Sequence, residues 1–112
     1  MIDEATFRRV SDKALESLKQ SLISAEDDDA GFEFEDNNGV MNIIFENGSS
    51  KFVITPNTPI RQVWISAQAT SYKLDWSESV SAFTFAKTGE DLKTLTQRLL
   101  REHLGDPTIS LP

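Results

Sequence analysis

Between residues 32 and 86 the sequence breaks into short runs in which apolar and polar residues alternate, and the runs are separated by turn signals. A period of two puts successive side chains on opposite faces of a strand, and a helix of period 3.6 has no use for it. Phe32-Glu-Phe-Glu-Asp36 alternates strictly, turning Phe32 and Phe34 inward and Glu33 and Glu35 outward. Asn37-Asn-Gly39 follows, and Asn-Gly readily supplies the positive φ of a tight hairpin turn. Val40–Glu46 is a second strand with Met41, Ile43 and Phe45 on its core side, and Asn47-Gly48 turns the chain again. Lys51–Thr55 is a third, with Phe52 and Ile54 inward. Pro56 and Pro59 bracket a loop, and Arg61–Ala67 is the fourth strand. Tyr72–Trp76 and Ala82–Ala86 bring the number to five or six. Short connections at this spacing predict an antiparallel meander.

The flanks carry the helical period. Phe7, Ser11, Ala14, Leu18, Leu22 and Ala25 fall on one face of a helix over 3–25, with Val10 and Leu15 beside them. Asp3 or Thr6 is the candidate N-cap. Thr88-Gly-Glu-Asp91 has the hydroxyl and acid of a capping box. It opens a second helix with Leu92, Leu95, Leu99 and His103 on one face, stopped by Gly105 and Asp106-Pro107. Ile109 and Leu111 in the tail are placed to dock on the helices. The order helix, strands, helix predicts an α+β two-layer sandwich: N- and C-terminal helices packed on one face of a five- to six-stranded antiparallel sheet. The chain, 1–112, is expected to form a single domain of this kind.

That layout leaves the second sheet face open, and Thr58-Pro-Ile-Arg-Gln-Val-Trp-Ile-Ser66 puts its largest residue there. Val63 and Ile65 take the core parity, so Gln62, Trp64 and Ser66 point outward. A tryptophan among polar neighbours on an open sheet is a candidate binding anchor. The plainer reading is that it covers an adjacent strand. Trp76 shares inward parity with Leu74 and Tyr72 and is expected at the core or its edge. His103 is expected to pack, or to stabilise the helix C-terminus, rather than to bind a ligand.

The net charge of −7 is placed unevenly: residues 1–46 hold twelve acids and four bases, and residues 47–112 six acids and seven bases. An acidic half disfavours nucleic acid and favours cations or a basic protein surface. Carboxylate oxygens suit hard cations. The candidate ligands are Asp3, Glu4, Asp12 and Glu16 on the first helix, then Glu26, Asp27, Asp28 and Asp29 in an acidic linker, then Glu33 and Glu35 on the first strand. The absence of cysteine excludes disulfides, thiolate zinc sites, cysteine-held iron–sulfur clusters and a cysteine nucleophile. The acids sit in polar segments, without the apolar pocket that separates catalytic pKa values, and no phosphate-cradling glycine loop is present. An enzyme is therefore not expected. No apolar run is long enough to cross a membrane, and MIDEATFRRV lacks the plan of a secretion signal. The protein is expected to be cytoplasmic, with a processed mitochondrial form as second choice, and monomeric through self-repulsion of its acidic half.

Four segments, GVMNIIFENGSSKFVIT, TPIRQVWIS, YKLDW and TGEDL, stand in this order between the terminal helices. With them the chain resembles the frataxin family, called CyaY in bacteria, over essentially its whole length. The most specific piece is P-x-x-Q-x-W-x-S, formed by Pro59, Gln62, Trp64 and Ser66. The resemblance implies the sandwich fold and an accessory role in iron–sulfur cluster assembly. It implies weak binding of iron (Fe2+/Fe3+) at surface carboxylates, and docking on a cysteine desulfurase and its scaffold protein to supply iron or regulate sulfur transfer. The scaffold contact falls on Trp64, with Asn57, Arg61, Gln62 and Lys73 in the same patch. The chain departs from many bacterial relatives in carrying Lys19, Gln20, Ile23 and Ser24 in the last turns of the first helix, where they are acidic. The alternatives are an acidic interaction module with no iron role, and a weak calcium or magnesium binder.

Overall fold

The structure, a computed structural model, describes residues 2–26, 31–46 and 50–112. Asp27, Asp28 and Asp29 of the acidic linker and the Asn47-Gly48 turn lie outside the described residues.

Helix α1 (Glu4–Ala25) starts where Asp3 Oδ1 accepts the N–H of Thr6 at 2.7 Å, so Asp3 and not Thr6 is the cap. Six strands follow: β1 (Phe32–Asn37), β2 (Val40–Phe45), β3 (Lys51–Asn57), β4 (Gln62–Ala67), β5 (Thr70–Ser77) and β6 (Ala82–Phe85). They lie in sequence order in one sheet, each antiparallel to the next. Helix α2 (Leu92–Leu104) closes the order. The β1–β2 hairpin turns at Asn38 and Gly39, both at positive φ, as the Asn-Gly signal demands.

The helices cover one face. Phe7, Leu18 and Leu22 of α1 and Leu95 and Leu99 of α2 join the inward residues of the sheet in one buried cluster. Met41, Ile43, Phe45, Phe52 and Ile54 take the core parity expected of them. Phe7 meets Phe83 edge-on at 5.8 Å, which ties α1 to β6, and Phe45 meets Phe52 at 4.8 Å. The His103 ring lies 4.0 Å from that of Phe45 and 5.4 Å from that of Phe52, so it packs. Trp76 is half-buried and meets Phe83 at 5.2 Å, at the core edge. The tail docks: Leu111 is buried, its N–H donates to Gln97 Oε1 at 2.9 Å, and Arg101 Nε donates to the Ile109 carbonyl at 2.7 Å.

Three local expectations are corrected. Pro56 belongs to β3 and pairs with Val63 instead of starting a loop. The β2–β3 pairing spans Lys51–Ile54, so β3 has only β4 beside it at Pro56, and the missing N–H leaves no second ladder bond unmade. β5 begins at Thr70, two residues before the expected Tyr72, because Gln68 and Ala69 turn the chain at φ 53° and 63° with no glycine to announce it. Finally, the cap of α2 is Asp91, whose Oδ1 accepts the N–H of Thr94 at 2.8 Å. Thr88 instead accepts from the N–H of Glu90, and a bridge from Asp91 to Thr84 of β6 draws the helix start to the sheet edge.

Candidate functional site

Strand parity turns one row of side chains outward across the middle of the sheet. Thr55 of β3, Trp64 of β4 and Lys73 of β5 are direct cross-strand neighbours, and Asn57, Gln62 and Asp75 form the next row. Trp64 is half-buried on this face, whereas Val63 and Ile65 on the opposite face are fully buried. Its ring is fixed from two sides. The indole Nε1–H donates to Gln62 Oε1 at 2.8 Å, and Lys73 Nζ lies 4.8 Å from the ring centroid, a cation–π distance. Gln62 is itself held, its Nε2 donating to Asp75 Oδ1 at 3.0 Å. Indole, amide and carboxylate thus form a chain in which each member orients the next. A large ring held in one pose loses little rotamer freedom on contact with a partner.

Asn57, Gln62, Trp64 and Lys73 therefore share one face, as expected. Arg61 does not join them. It sits at φ 58° where the short 3-10 turn Thr58–Ile60 meets β4, and its Nη1 donates to the Thr58 carbonyl. Arg61 lines a hollow at the sheet end with Ile2, Ile60, Asp75, Trp76 and Glu78, so it borders the patch. Asp75 is the member that sequence reasoning missed. Its outward parity between Leu74 and Trp76, opposite Gln62, was the available signal.

The carboxylates of the described residues do not converge. A 22-residue α1 is about 33 Å long at about 1.5 Å per residue, so Asp3 and Glu4 at its start are far from Glu26 at its end. Asp3 is engaged as the cap, and the bonds from Thr6, with the nearby Arg61 and Arg9 charges, hold its carboxyl below the ordinary value. Glu4 pairs with Arg8 at 3.3 Å. Asp12 is exposed in mid-helix, and Glu16 accepts from Gln20 Nε2 at 3.0 Å. Glu26 accepts the Phe34 N–H at 2.6 Å, while Glu33 and Glu35 project from the edge strand β1 into solvent. Beside them Asp36 pairs with Lys19 at 3.3 Å, which pins the edge of β1 to α1. Among the described residues, no three side chains of His, Cys, Asp or Glu stand close enough to hold one metal ion. No helix among them is long and apolar enough to cross a membrane.

Two helices on one face of a six-stranded antiparallel meander, with an oriented tryptophan on the other, define an α+β sandwich that presents a single aromatic residue on a polar sheet face. The chain belongs to the frataxin-like domain family, whose match runs over residues 1–106. The iron-sulfur cluster assembly protein CyaY of Azotobacter vinelandii is 27% identical over 105 residues, covering 94% of this chain and 92% of that protein. The protein of the same name from Pseudomonas aeruginosa is 29% identical over 106 residues, covering 94% of each. The solved structure of frataxin from Psychromonas ingrahamii superposes with a TM-score of 0.81 over 99% of each chain, at 14% identity, a likeness in fold.

Proposed function

We propose that this protein is a single-domain accessory factor of iron–sulfur cluster assembly, working in the cytoplasm as a monomer and not as an enzyme. It docks on a scaffold protein through the sheet face around Trp64. The observation that carries this reading is the fixed pose of Trp64, held by Gln62 and Lys73 on a face opposite to the one the two helices cover among the described residues. Aromatic residues on rigid elements, ringed by polar groups, are the usual anchors of interfaces. The names of the CyaY relatives support the process. The acidic flank of α1 and β1 complements a basic surface on the cysteine desulfurase, so this second contact weakens steeply with salt. Iron is handled as cargo at exposed carboxylates, weakly and with poor selectivity over calcium or magnesium, because open oxygen sites discriminate little between hard cations.

The test is binding to a cysteine desulfurase–scaffold complex, wild type beside Trp64→Ala, with the fold checked by circular dichroism. Loss of about 1 kcal/mol or more identifies Trp64 as an anchor. Equal binding would move the contact to the acidic flank, and no binding by either protein would remove the assignment to cluster assembly. The spread of the carboxylates among the described residues favours a second reading, an acidic interaction module with no iron role. A ferrous titration that leaves the resonances of Asp12, Glu16, Glu33 and Glu35 unmoved while partner binding persists would select it.

A further inference from the structure

A groove of about 690 Å³ lies in the helical layer, on the side of the sheet opposite to the Trp64 face. One wall is the first half of α1, the other is the β5–β6 turn with the start of α2, and Trp76 and Phe83 lie between them. The two kinds of side chain along α1 are sorted. Val10, Ala14 and Leu18 succeed one another at four-residue steps, and so do Arg9 and Lys13. Residues four apart stack on one side of a helix, so an apolar line runs beside a cationic line along the same wall. Lys93 of α2 adds a third cation.

Among the described residues Arg8, Lys19 and Arg98 make ion pairs, and on the first helix Arg9 and Lys13 make none. Lys93 is already engaged, donating to the Pro112 oxygen at 2.8 Å and to Ser17 Oγ at 3.3 Å. The opposite wall carries Glu78 and Asp91, and the Asp91 carboxylate is committed to capping α2. Unpaired positive charge thus lines the α1 wall, at Arg9 and Lys13, while the opposite wall carries both signs, Lys93 beside Glu78 and Asp91.

From this geometry we infer that the groove is a second binding site, which takes a small amphipathic organic anion: a flat apolar body against the half-buried Trp76, with one or two anionic groups toward Arg9 and Lys13. The volume is that of a small-molecule site. A small anion also fits better than an acidic polypeptide or nucleic acid, since a polyanion meets the repulsion of the whole molecule while a small ligand meets mainly the local field. The site is independent of the Trp64 face.

The probe is 8-anilinonaphthalene-1-sulfonate, a flat aromatic body with one fixed negative charge. In a titration of the folded protein followed by NMR, the amides of Val10 and Ala14 and the indole of Trp76 are expected to shift together and to saturate. Arg9→Glu/Lys13→Glu is expected to weaken binding by about tenfold, since each exposed charge contact contributes a few-fold. Lys51→Glu, on the outer side of β3, is expected to leave binding unchanged. N-phenyl-1-naphthylamine, which has the same body without the sulfonate, is expected to bind more weakly. The inference is overturned if no saturating shifts appear, if they centre on Trp64, if the charge reversal changes nothing, or if the neutral probe binds as well as the sulfonate. Arg9 and Lys13 are exposed, and circular dichroism of the variant confirms that a loss of binding is not a loss of fold.

Discussion

Replacing Glu90 by Gln tests how α2 is fastened to the edge of the sheet, and the structure sets both the size and the pH dependence of the effect. Glu90 stands just before the cap of α2, and its carbonyl accepts the N–H of Phe85 in β6 at 2.8 Å. Its carboxylate accepts from Arg98 Nε at 2.9 and 3.1 Å and from Arg98 Nη2 at 2.9 Å, with the Thr88 hydroxyl donating at 2.8 Å. Sheltered hydrogen bonds to charged groups contribute about 1.5–3 kcal/mol. The Glu90 side chain is 17% exposed but that of Arg98 is 38%, so solvent screens the pair and lowers its worth. Arg98 also keeps Glu102, at 3.1 Å, as a partner in the variant. Glu90→Gln is therefore expected to cost about 1 kcal/mol at neutral pH.

Arg98 holds the Glu90 carboxyl below its ordinary value of 4.5, despite an opposing effect of burial. The folded state thus binds this proton less readily than the unfolded chain. Its contribution to stability is full above the unfolded value and disappears as pH falls through the folded one. Once Glu90 is protonated, wild type and variant are both neutral at this position. Urea unfolding followed by circular dichroism, at about pH 7 and in acid well below 4.5, should show a difference of about 1 kcal/mol at the first that shrinks at the second. An equal cost at both would refute the argument, because the lost stabilisation would then not depend on the carboxylate charge.

Ala69→Gly is expected to stabilise the protein by about 0.5–1 kcal/mol, read as a higher urea midpoint, because Ala69 sits at φ 63° where only glycine is unstrained. Leu111→Ala removes a buried side chain that seats the tail, and should cost about 2–3 kcal/mol in thermal unfolding; a loss below about 0.5 kcal/mol would mean that the tail contributes no core. Gln62→Ala deletes the acceptor of the Trp64 indole, and is expected to move the indole N–H resonance and weaken scaffold binding, while changing stability by less than about 0.5 kcal/mol. An unchanged resonance would mean that Gln62 does not set the pose of Trp64.

The parts of this fold that were legible in the sequence are those decided over a few residues. Alternation assigned Phe52 and Ile54 to the core and Trp64 to the open face, because side-chain direction on a strand follows from parity alone. Asn37-Asn-Gly39 announced its turn because the positive φ it supplies is a property of those residues. The same local reading gave Asn57, Gln62 and Lys73 a common side with Trp64.

What tertiary structure decided depends on neighbours distant in the chain. Pro56 is tolerated in β3 because β2 stops short of it, and Gln68-Ala69 turn at positive φ because β4 and β5 must pair in one register. Eight residues separate Glu90 from Arg98, so no i,i+4 rule pairs them; the turn at Gly89 and the start of α2 bring them together. Arg61 lost its place on the face because a residue in the left-handed region follows no strand parity. Sequence alone shows how many acids and bases there are. The length of α1 then spreads the carboxylates apart, while its packing beside α2 brings Arg9, Lys13 and Lys93 to one groove. Composition determines the sum of the charges, but the field at any point falls off with distance, and only the folded chain sets those distances.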